Sequence, residues 1–379
     1  MMPKDAGRYV IDAAARILDV WELFGHERET VGLSNVMKEL GMVKSTAFRF
    51  LRTLENKGYI ERVPDGHGYR KCQRRSVGLL SLTSTLPFVA EVEQGIVTEA
   101  ARNGMRLSIR HGEFDRTKTL RGVDELLSSG VELLLVYNSD EHLSHVIADR
   151  CAQRNVPIVA ITFPVPGASL FGVNNYRAGL TGGEGLAREI QGRWRRGIDL
   201  AVVLDIPGSS PAQQARITGM TEGLQSGTGY SGRLLHLHID RRRRTSDALI
   251  SDLLQSEKAA RIAVLCYNDA NAMGADDAVI AAKRQAQVMI LSQGGTEAVR
   301  KRIGRSDSAI RVAVAHFPER FGSRLIPVVQ RILEGQPVAS PVYIEPVLLT
   351  RANCREYSNF VAAIEKRAVA PNDRLRQCR

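Results

Sequence analysis

Between Lys44 and Leu54, the residues Lys44, Ser45, Thr46, Phe48, Arg49 and Arg52 fall at helical spacing opposite Ala47, Phe50, Leu51 and Leu54. Cationic and hydroxyl donors on a helix whose other face is apolar suit base edges in a DNA major groove and the phosphates beside it. Such a face is also an ordinary solvated surface, so the neighbouring elements decide. Upstream, Ile11, Ala14, Ala15, Leu18, Trp21 and Leu23 mark an amphipathic helix over 9–24. Val36, Met37 and Leu40 mark a second helix after Leu33, with Ser34 as its expected N-cap and Gly41 as its stop. The short turn Gly41-Met42-Val43 completes a helix-turn-helix. Downstream, 57–63 reads as a strand, 64–68 as a turn and 69–71 as a returning strand. This two-stranded wing adds His67 and Arg70 to the candidate DNA contacts.

The chain has 379 residues, enough for a small module joined to a larger one. Its net charge of +11 favours a polyanionic partner, because each Lys or Arg placed on a phosphate releases a counterion. No apolar run approaches the ~18–20 residues that span a bilayer, and residues 1–12 read as charged rather than as a secretory signal. The expected location is the cytoplasm, with no membrane contact. The five cysteines (Cys72, Cys151, Cys266, Cys354, Cys378) have no metal-site spacing and read as reduced structural or surface thiols. No metal or other cofactor is expected.

Particular residues in the N-terminal stretch resemble the IclR-type winged helix. They are Gly32-Leu33-Ser34, Leu40-Gly41, Lys44-Ser45-Thr46-Ala47, Arg49, Leu51, Thr53-Leu54 and Gly58-Tyr59-Ile60-Glu61-Arg62. The resemblance covers about the first seventy residues and implies an α+β winged helix that binds double-stranded operator DNA.

From Val77 the chain alternates short apolar strands with amphipathic helices. The strands are expected at 77–82, 106–110, 131–138, 157–163, 198–205, 233–239, 261–268, 287–293 and 311–317. That alternation predicts an α/β fold of two doubly wound lobes with parallel sheets, whose ligands bind at the carboxyl ends of the strands. The expected boundaries are a winged helix over 1–71, a basic link at 72–76, the two-lobed domain over 77–350 and a basic tail over 351–379.

The larger region resembles the type I periplasmic-binding-protein fold in its ribose-binding and LacI-regulator branch. Val77-Gly78-Leu79-Leu80 leading into Leu86-Pro87-Phe88 carries part of the likeness, as do Gly95-Ile96 and Ala100–Gly104. Phe171–Gly179 resembles the family's first crossing between lobes, Arg216–Gly219 its Arg-x-x-Gly helix, and Cys266–Gly274 its Asn-Asp helix start. Leu291–Gly295 resembles its Gly-x-Asp-Gly turn. The resemblance implies a pocket of Phe88, Asp140, Arg216, Asn268, Gln293 and His316. A ring over a C–H face, with charged and amide groups on hydroxyls, suits a small polar effector: a sugar, sugar acid or cyclitol. Asp140 and Asn268 also sit where helix N-caps usually stand. Two positions depart from the pattern. Leu86 stands where a polar residue is common, and Gln293 stands where an aspartate is, which leaves Arg216 less compensated.

The modules together imply a ligand-responsive transcription regulator that acts as a homodimer on a near-palindromic operator. An enzyme is disfavoured, since the chain has no nucleophile elbow, phosphate loop or His-Glu-x-x-His. Alternatives are a regulator whose second domain serves only dimerisation and a transporter's solute-binding protein. The latter would need export and would have no use for the first seventy residues.

Overall fold

The computed structural model describes residues 11–24, 30–57, 59–63, 68–71, 75–206, 210–240 and 245–356, and the chain divides into two units, 1–75 and 76–379. The first unit holds α1 (Asp12–Glu22), α2 (Leu33–Leu40) and α3 (Lys44–Asn56), then β1 (Ile60–Arg62) and β2 (Tyr69–Lys71) paired antiparallel. Its core is built from one side of each element: Val20, Phe24, Val36, Ala47, Leu51, Leu54, Ile60 and Tyr69. Val31 joins the edge of β2 through two backbone hydrogen bonds with Tyr69. The N-cap of α2 is Gly32 rather than Ser34, because the Asn35 side chain accepts the Gly32 backbone N–H at 2.8 Å and the helix starts two residues earlier. Gly41 ends α2 at φ +62°, a left-handed conformation that glycine adopts without steric cost.

The second unit opens with β3 (Ser76–Ser81), α4 (Pro87–Arg102), β4 (Arg106–His111), α5 (Arg116–Ser128), β5 (Leu133–Val136), α6 (Glu141–Ala152), β6 (Ile158–Ile161) and β7 (Ser169–Gly172). Then α7 (Asn175–Arg193) leads into β8 (Leu200–Asp205), α8 (Pro211–Thr228), β9 (Leu234–His238), α9 (Ser246–Ser256), β10 (Ile262–Cys266) and α10 (Asp269–Ala281). The chain continues through β11 (Val288–Gly294), α11 (Glu297–Ile303), β12 (Ile310–Ala315), a 3-10 turn (Pro318–Arg320), α12 (Phe321–Leu333), β13 (Val342–Tyr343) and β14 (Val347–Thr350). Runs such as Leu133–Val136 and Ile262–Cys266 are buried at every position, as strands covered by helices on both faces must be.

The strands form two six-stranded sheets, ordered β13-β7-β6-β5-β3-β4 and β14-β12-β11-β10-β8-β9. The first sheet is parallel throughout, whereas β14 lies antiparallel to β12 and makes the second sheet mixed. The chain crosses between lobes three times: after β7, after β12, and between β13 and β14. The expected 77–350 limits are exceeded at both ends. Ser76 already pairs within β3, and Cys354 is buried in the second lobe's core, so the tail does not begin at 351.

Helices α7 and α8 cross with their backbones in contact. A Cβ at Gly179 or Gly183 would meet the Arg216 or Met220 carbonyl oxygen at 2.2 or 2.3 Å, and one at Gly219 would meet the Tyr176 oxygen at 2.2 Å. Gly183→Val should therefore lower the unfolding midpoint, at an expected cost of ~1–3 kcal/mol for forcing packed backbones apart. Gly192→Ala, on the same helix with open space around it, should leave the midpoint unchanged or raise it slightly. Equal midpoints for the two variants in thermal denaturation would contradict the close crossing.

Candidate functional site

The carboxyl ends of the strands surround a cavity of about 850 Å³ within the second unit, and all six pocket residues expected from sequence line it. Phe88 lies in the first turn of α4, Asp140 and Asn268 follow β5 and β10, Gln293 is the last residue but one of β11, His316 follows β12, and Arg216 reaches in from α8. Gly294 and Gly295, both at positive φ, turn the chain out of β11 beside Asp269. The Asp269 carboxylate fixes that turn by accepting from Ser292 Oγ at 2.6 Å and from the Thr296 backbone N–H at 2.7 Å.

Arg216 is 7% exposed, and among the described residues its guanidinium bonds to neutral protein groups. Nε and NH2 donate to the Asn175 side-chain oxygen, NH1 donates to the Tyr267 carbonyl at 3.2 Å, and the group lies 4.8 Å from the Tyr267 ring centroid. Asn175 is the first residue of α7, so the glycine-lined α7/α8 crossing brings the amide to the cation. Three of the five guanidinium N–H groups are used in these bonds, and two have no acceptor among the described residues.

Two neighbouring side chains are buried with open polar atoms. Gln293, 1% exposed, donates to the Ala178 carbonyl at 3.1 Å, while its Oε1 has no partner among the described residues. His316 is 2% exposed and its Nε2 is likewise unpartnered. Burial, and after it the Arg216 charge, holds the imidazole well below the usual histidine range, so the ring is neutral at neutral pH. Phe88 stands edge-on to both His316 and Phe321 at 6.1 Å, so its ring belongs partly to the core and partly to the cavity wall.

Asp140 and Asn268 serve as N-caps. Asp140 accepts from the His142 and Leu143 backbone N–H groups and pairs with Arg116 at 2.7 Å, and Asn268 accepts from the Asn271 N–H at 2.9 Å. Sequence reading missed several lining or supporting residues. Arg116 and the exposed Phe114 stand on the rim, Asn138 and Tyr267 line the wall, and Asn175 anchors Arg216 from behind. Asn175 carried a signal, since it stands in the crossing segment, but its partner is visible only once the helices cross.

Lys44, Ser45, Phe48 and Arg49 are exposed on α3 and Thr46 is half-buried, all opposite the buried Ala47, Leu51 and Leu54. Arg52 pairs with Glu55 at 2.9 Å and Arg70 with Glu61 at 2.6 Å, whereas no acidic side chain among the described residues pairs with Lys44 or Arg49. His67 lies outside the described residues.

Where the lobes meet, Glu91 on α4 faces Glu319 of the 3-10 turn, Asp269, Arg300 and the start of α11. Arg300 donates to the Gly295 carbonyl and to Glu319 at 3.2 Å. Burial first, and the Glu319 charge second, raise the Glu91 carboxyl to about 7.

A family model described as a periplasmic binding protein domain matches residues 77–337, and one described as an IclR helix-turn-helix domain matches 13–64. The ribose import binding protein of Bacillus subtilis is 25% identical over 286 residues, covering 74% of this chain and 88% of that protein. Among solved structures, a solute-binding protein from Actinobacillus succinogenes with bound D-allose superposes with a TM-score of 0.66 at 15% identity, over 75% of this chain and 100% of that one. One from Bacillus halodurans with bound myo-inositol gives 0.65 at 20% identity, over 76% and 98%.

A carboxyl raised from 4.5 to about 7 stabilises the fold fully below the lower value, and that contribution is lost as pH rises through the upper one. Wild type should therefore lose more of its unfolding midpoint than Glu91→Gln between about pH 5 and about pH 8. Parallel melting curves of the two proteins across that range would contradict a neutral, buried Glu91.

Proposed function

Because the chain belongs to the periplasmic binding protein domain family and carries an IclR helix-turn-helix domain ahead of it, we propose that it is a transcription regulator that binds operator DNA under the control of a small polyhydroxylated effector. The observation that carries this reading is the presence, in one chain, of a helix face on which Lys44 and Arg49 have no acidic partner among the described residues and a cavity with buried polar atoms left open. Lys44, Ser45, Thr46, Phe48 and Arg49 are the proposed base and phosphate contacts, with Arg52, Arg70 and His67 beside them. The exposed Arg52–Glu55 and Arg70–Glu61 pairs are worth little and can exchange for phosphates.

In the cavity, Phe88 covers an apolar face of the effector while Arg216, Gln293 and His316 meet its polar groups. Asp140 and Asn268 contribute what their capping bonds leave free. The sugar and cyclitol ligands named for the ribose, allose and inositol binders support this ligand class. The protein acts in the cytoplasm as a homodimer, because two winged helices on two half-sites gain affinity that one module lacks. No catalytic step is assigned. Closure of the lobes around the effector, through the three crossings, is the proposed signal.

Selecting bound fragments from genomic DNA with the full chain, then measuring affinity at fixed salt, tests the reading. Arg49→Ala should weaken operator binding by ~1–3 kcal/mol, and Arg52→Ala by less. Light scattering should give twice the chain mass. No selected sequence, or an Arg49→Ala protein that binds as wild type does, would refute the role of α3.

A further inference from the structure

Resting on that reading, we infer that the effector is a polyhydroxylated carboxylic acid of the aldonate or uronate class, with its carboxylate on Arg216. A full positive charge sits in the cavity wall, and every group bonded to it among the described residues is neutral: the Asn175 amide oxygen, the Tyr267 carbonyl and the Tyr267 ring face. A buried charge left without a counter-charge is costly, and a neutral ligand would not remove that cost.

The carboxylates around the cavity do not serve. None of them bonds Arg216 among the described residues: Asp269 accepts from Ser292 and Thr296, Asp140 pairs with Arg116 and caps its helix, and Asp115 caps α5 through the Lys118 N–H at 2.8 Å. Glu141 and Asp240 are exposed on the rim. A ligand anion fills the gap in charge, and the two guanidinium N–H groups without an acceptor among the described residues remain to donate to its carboxylate oxygens.

The remaining open groups select the rest of the molecule. Gln293 Oε1 is an acceptor and takes a hydroxyl donor, while the neutral His316 Nε2 either donates to a hydroxyl or accepts from one. His316 adds no second charge and Arg116 on the rim is already paired with Asp140, so among the described lining residues it is Arg216 that calls for one negative charge on the ligand. A carboxylate supplies a single charge, whereas a phosphate monoester near neutral pH brings almost two.

Isothermal titration of the full chain with matched compounds tests the assignment: ribose and ribonate, glucose with gluconate and glucuronate, galactose and galacturonate, myo-inositol, and glucose 6-phosphate. At least one acid should bind tenfold or more tighter than its neutral counterpart, a ratio on the order of one strong charge-assisted contact. Arg216→Gln should abolish that preference, and Arg216→Lys should keep it at reduced affinity, with circular dichroism showing that both fold. Binding of neutral sugars or inositol alone, or tighter binding of the phosphate, would overturn the carboxylate assignment and leave the proposed function standing. Silence across the whole set would count against both.

Discussion

A guanidinium brought into an apolar interior must be met by acceptors, and around Arg216 that requirement organises the second unit. Its principal acceptor, Asn175, begins the helix that follows the first crossing between lobes. The amide reaches the cation only because Gly179, Gly183 and Gly219 let α7 and α8 pack backbone to backbone. The second acceptor, the Tyr267 carbonyl, comes from the end of β10, so the cation ties the crossing, α8 and the second sheet together at the cavity. The same charge helps keep His316 neutral on the opposite crossing. One residue thus links the fold's topology to the chemistry of the wall.

The lobes are tied a second time at a different kind of site. Gly322 packs against the Gly95 carbonyl so closely that a Cβ there would lie 1.9 Å from it, and this seats α12 of the returning chain on α4. Glu91, Glu319 and Arg300 cluster beside that contact. Burial and the like charge of Glu319 both disfavour the ionised form of Glu91, so they act in the same direction on its carboxyl. This junction is therefore tightly packed and holds a carboxyl that burial and a like charge shift upward.

Much of this was legible in the sequence, for stated physical reasons. Continuous apolar runs such as 262–266 announce strands buried on both faces, and the Asp and Asn residues after them announce helix starts at the cavity mouth. The six pocket positions came from resemblance, and all six line the cavity. What escaped the sequence was set by long-range geometry. The two-residue β13 and the antiparallel β14 are too short to show a period, and with them the third crossing was missed. Ser34 has the residue type of an N-cap, but Asn35 bonding back to Gly32 moves the helix start. Arg52 and Arg70 look free in sequence and are paired in space, one within a helix and the other across a hairpin.

If cavity and helix face belong to one regulator, occupancy of the first must change the affinity of the second. The direct measurement is the operator dissociation constant of the full chain, at fixed salt, with and without a saturating ligand whose binding has been shown independently. A change of about 5- to 150-fold is expected, with operator DNA changing the ligand's dissociation constant by the same factor, since coupling between two binding equilibria is reciprocal. Identical operator affinity in both conditions would contradict the coupling and leave a DNA-binding protein whose second unit has another use.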